Sequence, residues 1–272
     1  MNSTASTPSP TSQACFSPQI LTASQRRDYE AQGYLLLPGV LTAEGLTRLR
    51  DQCMAAWHGQ KGEYDPEGSW LKNALLCNIH HHAPLVRDFY FRGPLVDVAQ
   101  QIIGPNIKAA TSQLTFKMRG NTKAFGWHQD NGYGQLEPAT AITTLTALED
   151  NDPDNGCLWL IPGSHLQGQI NVSDRLTPEA KAAGKDLSVD VPDESGAIPM
   201  PMKAGDTLIM HCHTLHQSEG NFSTTRDRRV LFLRYADADA VETYNENKPR
   251  LGRLLRGRTR FAEVEAFEKE LE

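Results

Sequence analysis

A chain of 272 residues, 39% of them hydrophobic, is long enough to bury a substantial core without disulfides, and single sandwiches or barrels reach this length. Its 27 basic against 33 acidic side chains leave a net charge of -6, which speaks against a general attraction to nucleic acid or to an anionic membrane. Five cysteines, Cys15, Cys53, Cys77, Cys157 and Cys212, form no CxxC pair and leave one over, so neither a disulfide framework nor a zinc knuckle is expected, and the simplest compartment is reducing cytoplasm.

Residues 1–20 are rich in Ser, Thr and Pro and lack the charged and apolar regions of a secretory signal; a disordered tail is expected there. No run of about 18 apolar residues argues for a membrane span. Residues 21–272 are expected to form a single domain, with a helical part over about 21–105, a β core over about 106–240, and a basic segment with a helix over about 245–272. Thr22 or Ser24 caps a first helix that Gly33 stops. "YLLLPGV" follows as a short strand, and a second helix starts near Thr42 with Leu46, Leu49, Cys53 and Trp57 on one face. "IHHHAPL", with His80, His81 and His82, reads as a solvent-facing loop with no Cys or acid within it, against the alternative of a surface metal site. "PLVDVAQQIIGP" gives a further helix, closed by Gly104 and Pro105.

From Ile107 the pattern changes to short β-prone runs separated by turn residues: "IKAATSQLTFKM", "AITTLTALE", "CLWLIPGSH", "DTLIMHC" and "RRVLFLRYA". This is the grammar of an antiparallel sandwich or barrel. Cys157 and Trp159 read as core, and His165 as a turn cap. Lys248, Arg250, Arg253, Arg256, Arg258 and Arg260 follow without an acid among them; such a run reads as a solvated face that, beside a pocket, attracts an anionic substrate group. "FAEVEAFEKELE" closes the chain as an amphipathic helix that packs through Phe261, Val264, Phe267 and Leu271.

The chemistry concentrates in two segments. In "GWHQDNGYG", His128 and Asp130 are two residues apart, and on an extended strand such residues share a face. In "MHCHTLHQS", His211, His213 and His216 lie within six residues. One of these imidazoles, supplied by a separate strand, completes a two-histidine, one-carboxylate face with open positions, the arrangement associated with non-haem Fe(II) oxygenases. Asn131 and Tyr133 follow the first pair and are candidate substrate contacts, against a plain Asn-Gly turn.

Four ordered motifs, "GYLLLPGVLT", "WHQD", "NGCLWLIPGSH" and the run from "AGDTLIMHCHTLHQSEGNF" to "LRY", resemble the phytanoyl-CoA dioxygenase family of Fe(II)/2-oxoglutarate-dependent oxygenases over about residues 21–236. The resemblance implies a mainly β chain with flanking helices and a double-stranded β-helix core of jelly-roll or cupin type. It implies Fe(II), with 2-oxoglutarate and O2 as cosubstrates. In the family's pattern the distal ligand precedes x-Ser, which is His216 here, with His213 the fallback and His211 a packed imidazole. The pattern also places an arginine for the cosubstrate's remote carboxylate eleven residues after the distal histidine; position 227 is Asp, so the role passes to Arg228, with Arg229 and Arg226 as alternatives. Ser218 adds a hydroxyl to that carboxylate. Lys117 and Thr115 are further cosubstrate contacts, and Gln113 shares their strand face.

The implied reaction hydroxylates an unactivated C–H bond of a small molecule. Halogenases that resemble the family lack the carboxylate ligand, so Asp130 points to hydroxylation. Relatives act on acyl-CoA thioesters, zwitterionic osmolytes, alkylphosphonates and natural-product intermediates, which leaves the substrate as a small, anionic or zwitterionic molecule. Two rivals share the fold: a cupin-like isomerase or hydrolase, which has no use for Arg228, and a ligand-binding protein without catalysis, which gives no visible band with Fe(II) and 2-oxoglutarate.

Overall fold

Thr22 and Gln25 exchange side-chain-to-amide hydrogen bonds, a capping box that opens helix α1, Ala23–Gln32. Gly33 ends it in the left-handed region at φ 78°, where an added Cβ would also lie 2.4 Å from His165 Nδ1. Strand β1, Tyr34–Leu37, follows. Thr42 caps α2, Ala43–Lys61, through the Gly45 amide; Leu49, Cys53 and Trp57 are buried and Leu46 partly so, as the periodicity expects. The computed structural model describes residues 13–62, 74–133, 135–170, 188–191 and 193–271.

Two early expectations are corrected. The tail expected over residues 1–20 is docked from residue 13 onward: Cys15 and Phe16 are buried, and Phe16 packs on Phe89 with ring centroids 4.9 Å apart. Residues 1–12 lie outside the described residues. After β2, Leu75–Cys77, the loop expected at "IHHHAPL" is instead a 3-10 turn over Ile79–His81 and the start of helix α3, Pro84–Arg92. His80 is buried, while His82 is exposed. Pro84 and, in the next helix, α4, Pro94–Ile103, Pro94 each sit in a first turn, where the missing amide costs no helical bond.

The β region comprises β3, Ile107–Lys117, β4, Phe125–His128, β5, Leu136–Glu137, β6, Ile142–Ala147, and β7, Leu158–Leu160. Then come β8, Ile198–Met200, β9, Thr207–His211, β10, His216–Ser218, and β11, Arg228–Asp237. The short β12, Val241–Glu242, β13, Lys248–Pro249, and β14, Arg253–Arg256, precede a last helix, α5, Ala262–Ala266. The large sheet runs β1-β9-β6-β11-β3-β14 with β2 also on β3; the second runs β4-β10-β7-β8; a small third sheet is β13-β12-β5. Leu145, Leu158, Leu160, Met200, Leu208 and Val230 pack between the first two. This is the double-stranded β-helix of the cupin type, with the helices laid on the outer face of the large sheet.

The antiparallel ladder of β3 with β11 organises the rest. It runs from Arg228 opposite Lys117 to Asp237 opposite Ile107. Alternation sends Leu114, Phe116, Leu231 and Leu233 toward the helices, where full burial of each stabilises by roughly 1.5–3 kcal/mol. It sends their neighbours to the other side, into a cavity.

The C-terminal expectations change as well. The helix is only Ala262–Ala266, with Val264 fully buried, and the chain turns at Glu268 with φ 51°. The basic run is not a bare cationic face: Lys248, Arg250 and Arg256 pair with Glu246, Glu242 and Asp97. Part of it forms β14, which extends the large sheet beside β3. No helix among the described residues is long and apolar enough to cross a membrane.

Candidate active site

His128 ends β4 and His216 begins β10, and the two are Cα partners across that antiparallel pair, with ring centroids 4.1 Å apart. The Nδ1 of each meets a main-chain carbonyl two residues earlier, Gly126 at 2.8 Å and Thr214 at 2.9 Å. A carbonyl only accepts, so each Nδ1 donates and each neutral ring carries its lone pair on Nε2. Contrary to the alternation argument, Asp130 is not on the strand; it is the first residue of a 3-10 turn, Asp130–Tyr133. The turn still delivers the carboxylate: Oδ1 lies 3.8 Å from His216 Nε2, and the Thr143 hydroxyl donates to Oδ2. One ligand atom from each of His128, Asp130 and His216 lies within 4.8 Å of the other two, and all three residues are buried.

Burial alone would raise the Asp130 carboxyl, but the charge of His216 when it is protonated, the Arg234 guanidinium, the charge of protonated His128 and the Thr143 hydrogen bond outweigh it and hold the group below the usual carboxylate range. Two neutral imidazoles and one carboxylate form a donor set that fits ferrous iron and leaves part of its coordination sphere open.

A cavity of about 300 Å³ lies against these groups. From β3 it is lined by Thr111, Gln113, Thr115 and Lys117, and from β11 by Arg228, Val230, Phe232 and Arg234, the inward face of one ladder. Ser218 and Arg250 complete the polar lining. Arg228 is 2% exposed and its Nε has no hydrogen-bond partner among the described residues; burial pulls it down to about 10. Burial, then the neighbouring Arg228 charge, lowers Lys117 to about 6. Lys117 Nζ donates to the carbonyls of Ser218, at 3.0 Å, and Glu219. Buried cations without a matched acid are costly, and a bound carboxylate offsets that cost.

The sequence profile of the family described as phytanoyl-CoA dioxygenase (PhyH) matches residues 29–230. The chain belongs to that family. It is a non-haem iron dioxygenase that uses 2-oxoglutarate and O2. Over 265 residues it is 25% identical to phytanoyl-CoA dioxygenase 1 of Oryza sativa subsp. japonica, covering 84% of this chain and 93% of that one. Over 224 residues it is 26% identical to ectoine dioxygenase of Bordetella bronchiseptica, covering 75% and 71%. The non-heme alpha-ketoglutarate-dependent carbocyclase SnoK from nogalamycin biosynthesis shares the fold, with a TM-score of 0.69 at 23% identity over 89% of this chain and 97% of that one.

Within this dioxygenase strand phase separates Arg228 from Arg229, and Arg226 lies before the strand. Arg228 faces the cavity; Arg229 pairs with Glu149 and lies over the Phe116 ring, 5.4 Å from its centroid; Arg226 binds Asp152 and Asp154 near the surface. His211 and His213 gather with Cys212, apart from the His128 cluster. Burial, then His213 and His165, pushes His211 down to about 4. His165 is no turn cap: its Nε2 donates to the Glu30 carbonyl at 3.0 Å and pins the end of α1. Cys157 is core as expected, and Trp159 is partly buried.

Asn131, expected at the substrate, is instead fully enclosed behind the site. Its Oδ1 accepts from Arg234 and its Nδ2 faces His213 Nε2 at 3.2 Å; it does not line the cavity. The side chain of Tyr133 lies outside the described residues. Sequence reasoning missed Arg234 and Thr143, while Arg250, read only as one member of the basic run, lines the cavity. Arg234 was within reach, since it stands six residues after Arg228 on one strand and so shares its face.

Proposed function

We propose that this dioxygenase hydroxylates an unactivated C–H bond of a small anionic or zwitterionic molecule. In this reading His128, Asp130 and His216 hold Fe(II), and Arg228, Lys117, Ser218 and Thr115 hold 2-oxoglutarate. The observation that carries it is the placement of cations at both ends of one lined slot. Arg228 and Lys117 stand at one end of the ladder; Arg234 stands six residues away, about 20 Å along the strand, with Arg250 in the same lining. Arg234 is 8% exposed and its Nε has no hydrogen-bond partner among the described residues. One end suits the cosubstrate's remote carboxylate, which Arg grips with two charge-assisted bonds. The other suits an anionic group of the substrate. The cavity, about 300 Å³, is at the small end for ligand sites, which favours a small substrate.

Bound iron, with 2-oxoglutarate and O2, supplies the oxidising power for hydroxylation, coupled to decarboxylation of 2-oxoglutarate to succinate. The chain's own groups do the rest. Thr143 fixes one oxygen of Asp130, so that the other faces the imidazoles. The Gly126 and Thr214 carbonyls set the rotation and tautomer of the two rings. Leu145, Leu158, Val230 and Phe232 line the middle of the slot and exclude water around the reacting carbon.

The test has two stages. Anaerobic addition of Fe(II) and 2-oxoglutarate is expected to produce a visible absorption band, lost in Arg228→Ala. A panel of carboxylates, phosphonates and zwitterions, with neutral analogues, is then followed by O2 uptake and succinate. Anionic members are expected to stimulate turnover, and Arg234→Gln to raise their KM more than that of 2-oxoglutarate. A neutral analogue turned over best, with Arg234→Gln indifferent, overturns the anionic assignment.

A further inference from the structure

A second cluster of metal-type donors lies on the other side of β3. His80 and His81 occupy the 3-10 turn after β2, and Glu268 reaches them from the C-terminal turn. Glu268 Oε2 is 3.1 Å from His80 Nε2, and Oε1 is 2.7 Å from His81 Nε2. One donor atom from each of the three residues lies within 4.8 Å of the other two. His80 is buried, and its Nδ1 meets the Ser112 hydroxyl at 2.6 Å, the outer contact that orients a ligating imidazole. Asn78, just before the turn, has φ 54°, and Glu268 has φ 51°, a left-handed conformation that few non-glycine residues adopt and that clusters at functional sites. The cluster edges a cavity of about 590 Å³ that shares Thr111 and Arg250 with the first. Glu242 and Glu263 also line this second cavity, as do the cations Lys248 and Arg250, which pair with Glu246 and Glu242.

We propose that His80, His81 and Glu268 form a second divalent-metal site, for an ion of the Zn(II) or Co(II) type, which clamps the C-terminal turn to the β2–α3 connection. Two imidazole nitrogens and one carboxylate, with the remaining position open to the cavity, are donors such ions accept in tetrahedral sites. Without metal, the three groups are joined by hydrogen bonds from the Nε2 atoms to the carboxylate. On binding, the ion takes the place of the Nε2 protons, which move to the Nδ1 atoms; the Ser112 hydroxyl accepts that of His80. No proton is lost and no oxidation state changes. The site shares no ligand with the His128, Asp130 and His216 cluster.

Metal counting tests this on the whole chain. Protein stripped with a chelator is titrated with Co(II), followed by visible absorption and by elemental analysis of the dialysed product. Wild type is expected to hold two equivalents. His128→Ala is expected to keep one, and either His81→Ala or Glu268→Gln to remove the other. Zn(II) is expected to raise the Tm of His128→Ala by several degrees, and to leave the Tm of the His128→Ala, Glu268→Gln double variant unchanged. The His81 side chain is 39% exposed, so its replacement tests the site even where Glu268→Gln perturbs folding, with circular dichroism as the check. A wild-type count of one that disappears in His128→Ala overturns the second site and leaves the active-site reading intact. A count of one that disappears only in His81→Ala supports the second site and removes the first.

Discussion

The two faces of the β3–β11 ladder are made by alternate residues of the same two strands, yet they do opposite work. Leu114, Phe116, Leu231 and Leu233 face the helices and are buried in the largest apolar cluster. Their neighbours Lys117, Arg228 and Arg234 are buried as deeply but bear basic groups, and they line the cavity. A period of two lets one ladder build a core on one side and keep poorly solvated cations on the other. The lesson is that the site's electrostatics are a standing liability, held in place by the apolar face of the very same strands. Substitutions on the two faces therefore differ in sign as well as in size.

The largest effect tests whether the chemistry stands where the cations point. His216→Ala is expected to lower turnover by at least about 1000-fold, since several kcal/mol of metal-supplied stabilisation is removed. It is also expected to reduce the bound iron, as elemental analysis would read. Retained iron with retained succinate formation would move the metal away from His128, Asp130 and His216.

Next in size is the apolar face. Leu231→Ala, at a fully buried position, is expected to cost about 2–5 kcal/mol of stability, read as a lower urea midpoint, with kcat per folded molecule near wild type. Three residues earlier on the same strand, Arg228→Met is expected to do the reverse. It should weaken 2-oxoglutarate by about 3 kcal/mol, roughly 100-fold in Kd, while the urea midpoint holds or rises, because an isolated buried guanidinium gives way to an apolar chain of similar length. Equal destabilisation by both variants would mean that the two faces are not the separate systems described.

This division also explains what was legible in the sequence. The strands read correctly, β1, β3, β6, β7, β9 and β11, contain apolar runs that announce themselves locally. Strands β4, β5, β8, β10 and β12 to β14 are two to four residues long and carry no such signal; they exist because longer neighbours offer them an edge. Helix α3 was hidden by the histidines before it, although Pro84 marks its first turn. The pair His128 and Asp130 was legible from its local spacing, whereas His216 was singled out from His211 and His213 only by the family's pattern, and the structure brings its imidazole to the pair. His80 was misread because the acid that holds it stands 188 residues away, and Thr143 because nothing near it distinguishes a threonine that holds a carboxylate from one that packs. Arg228 was separated from Arg229 by strand phase, which the sequence supplies only once the strand's face is known.

The smallest expected effect is a proton, and it tests the cationic face most directly. Burial and the adjacent guanidinium of Arg228 bring Lys117 from an ordinary 10.5 down to about 6. Between pH 6 and 10.5 the unfolded chain therefore holds a proton that the folded chain does not, so this residue makes stability rise with pH across that window and contributes no slope below it. A carboxylate placed between Lys117 and Arg228 raises the lysine again, so binding 2-oxoglutarate near pH 7.5 is expected to take up about one proton, and its affinity to fall as pH increases. Calorimetry under anaerobic conditions in buffers of different ionisation enthalpy reads the uptake as a slope. Lys117→Met should flatten the slope and weaken binding about 10-fold, the loss of one charge-assisted hydrogen bond. A flat slope in the wild type would mean that the cosubstrate's carboxylate is held by Arg228 without Lys117, and that the lysine serves only to tie β3 to the Ser218 and Glu219 carbonyls.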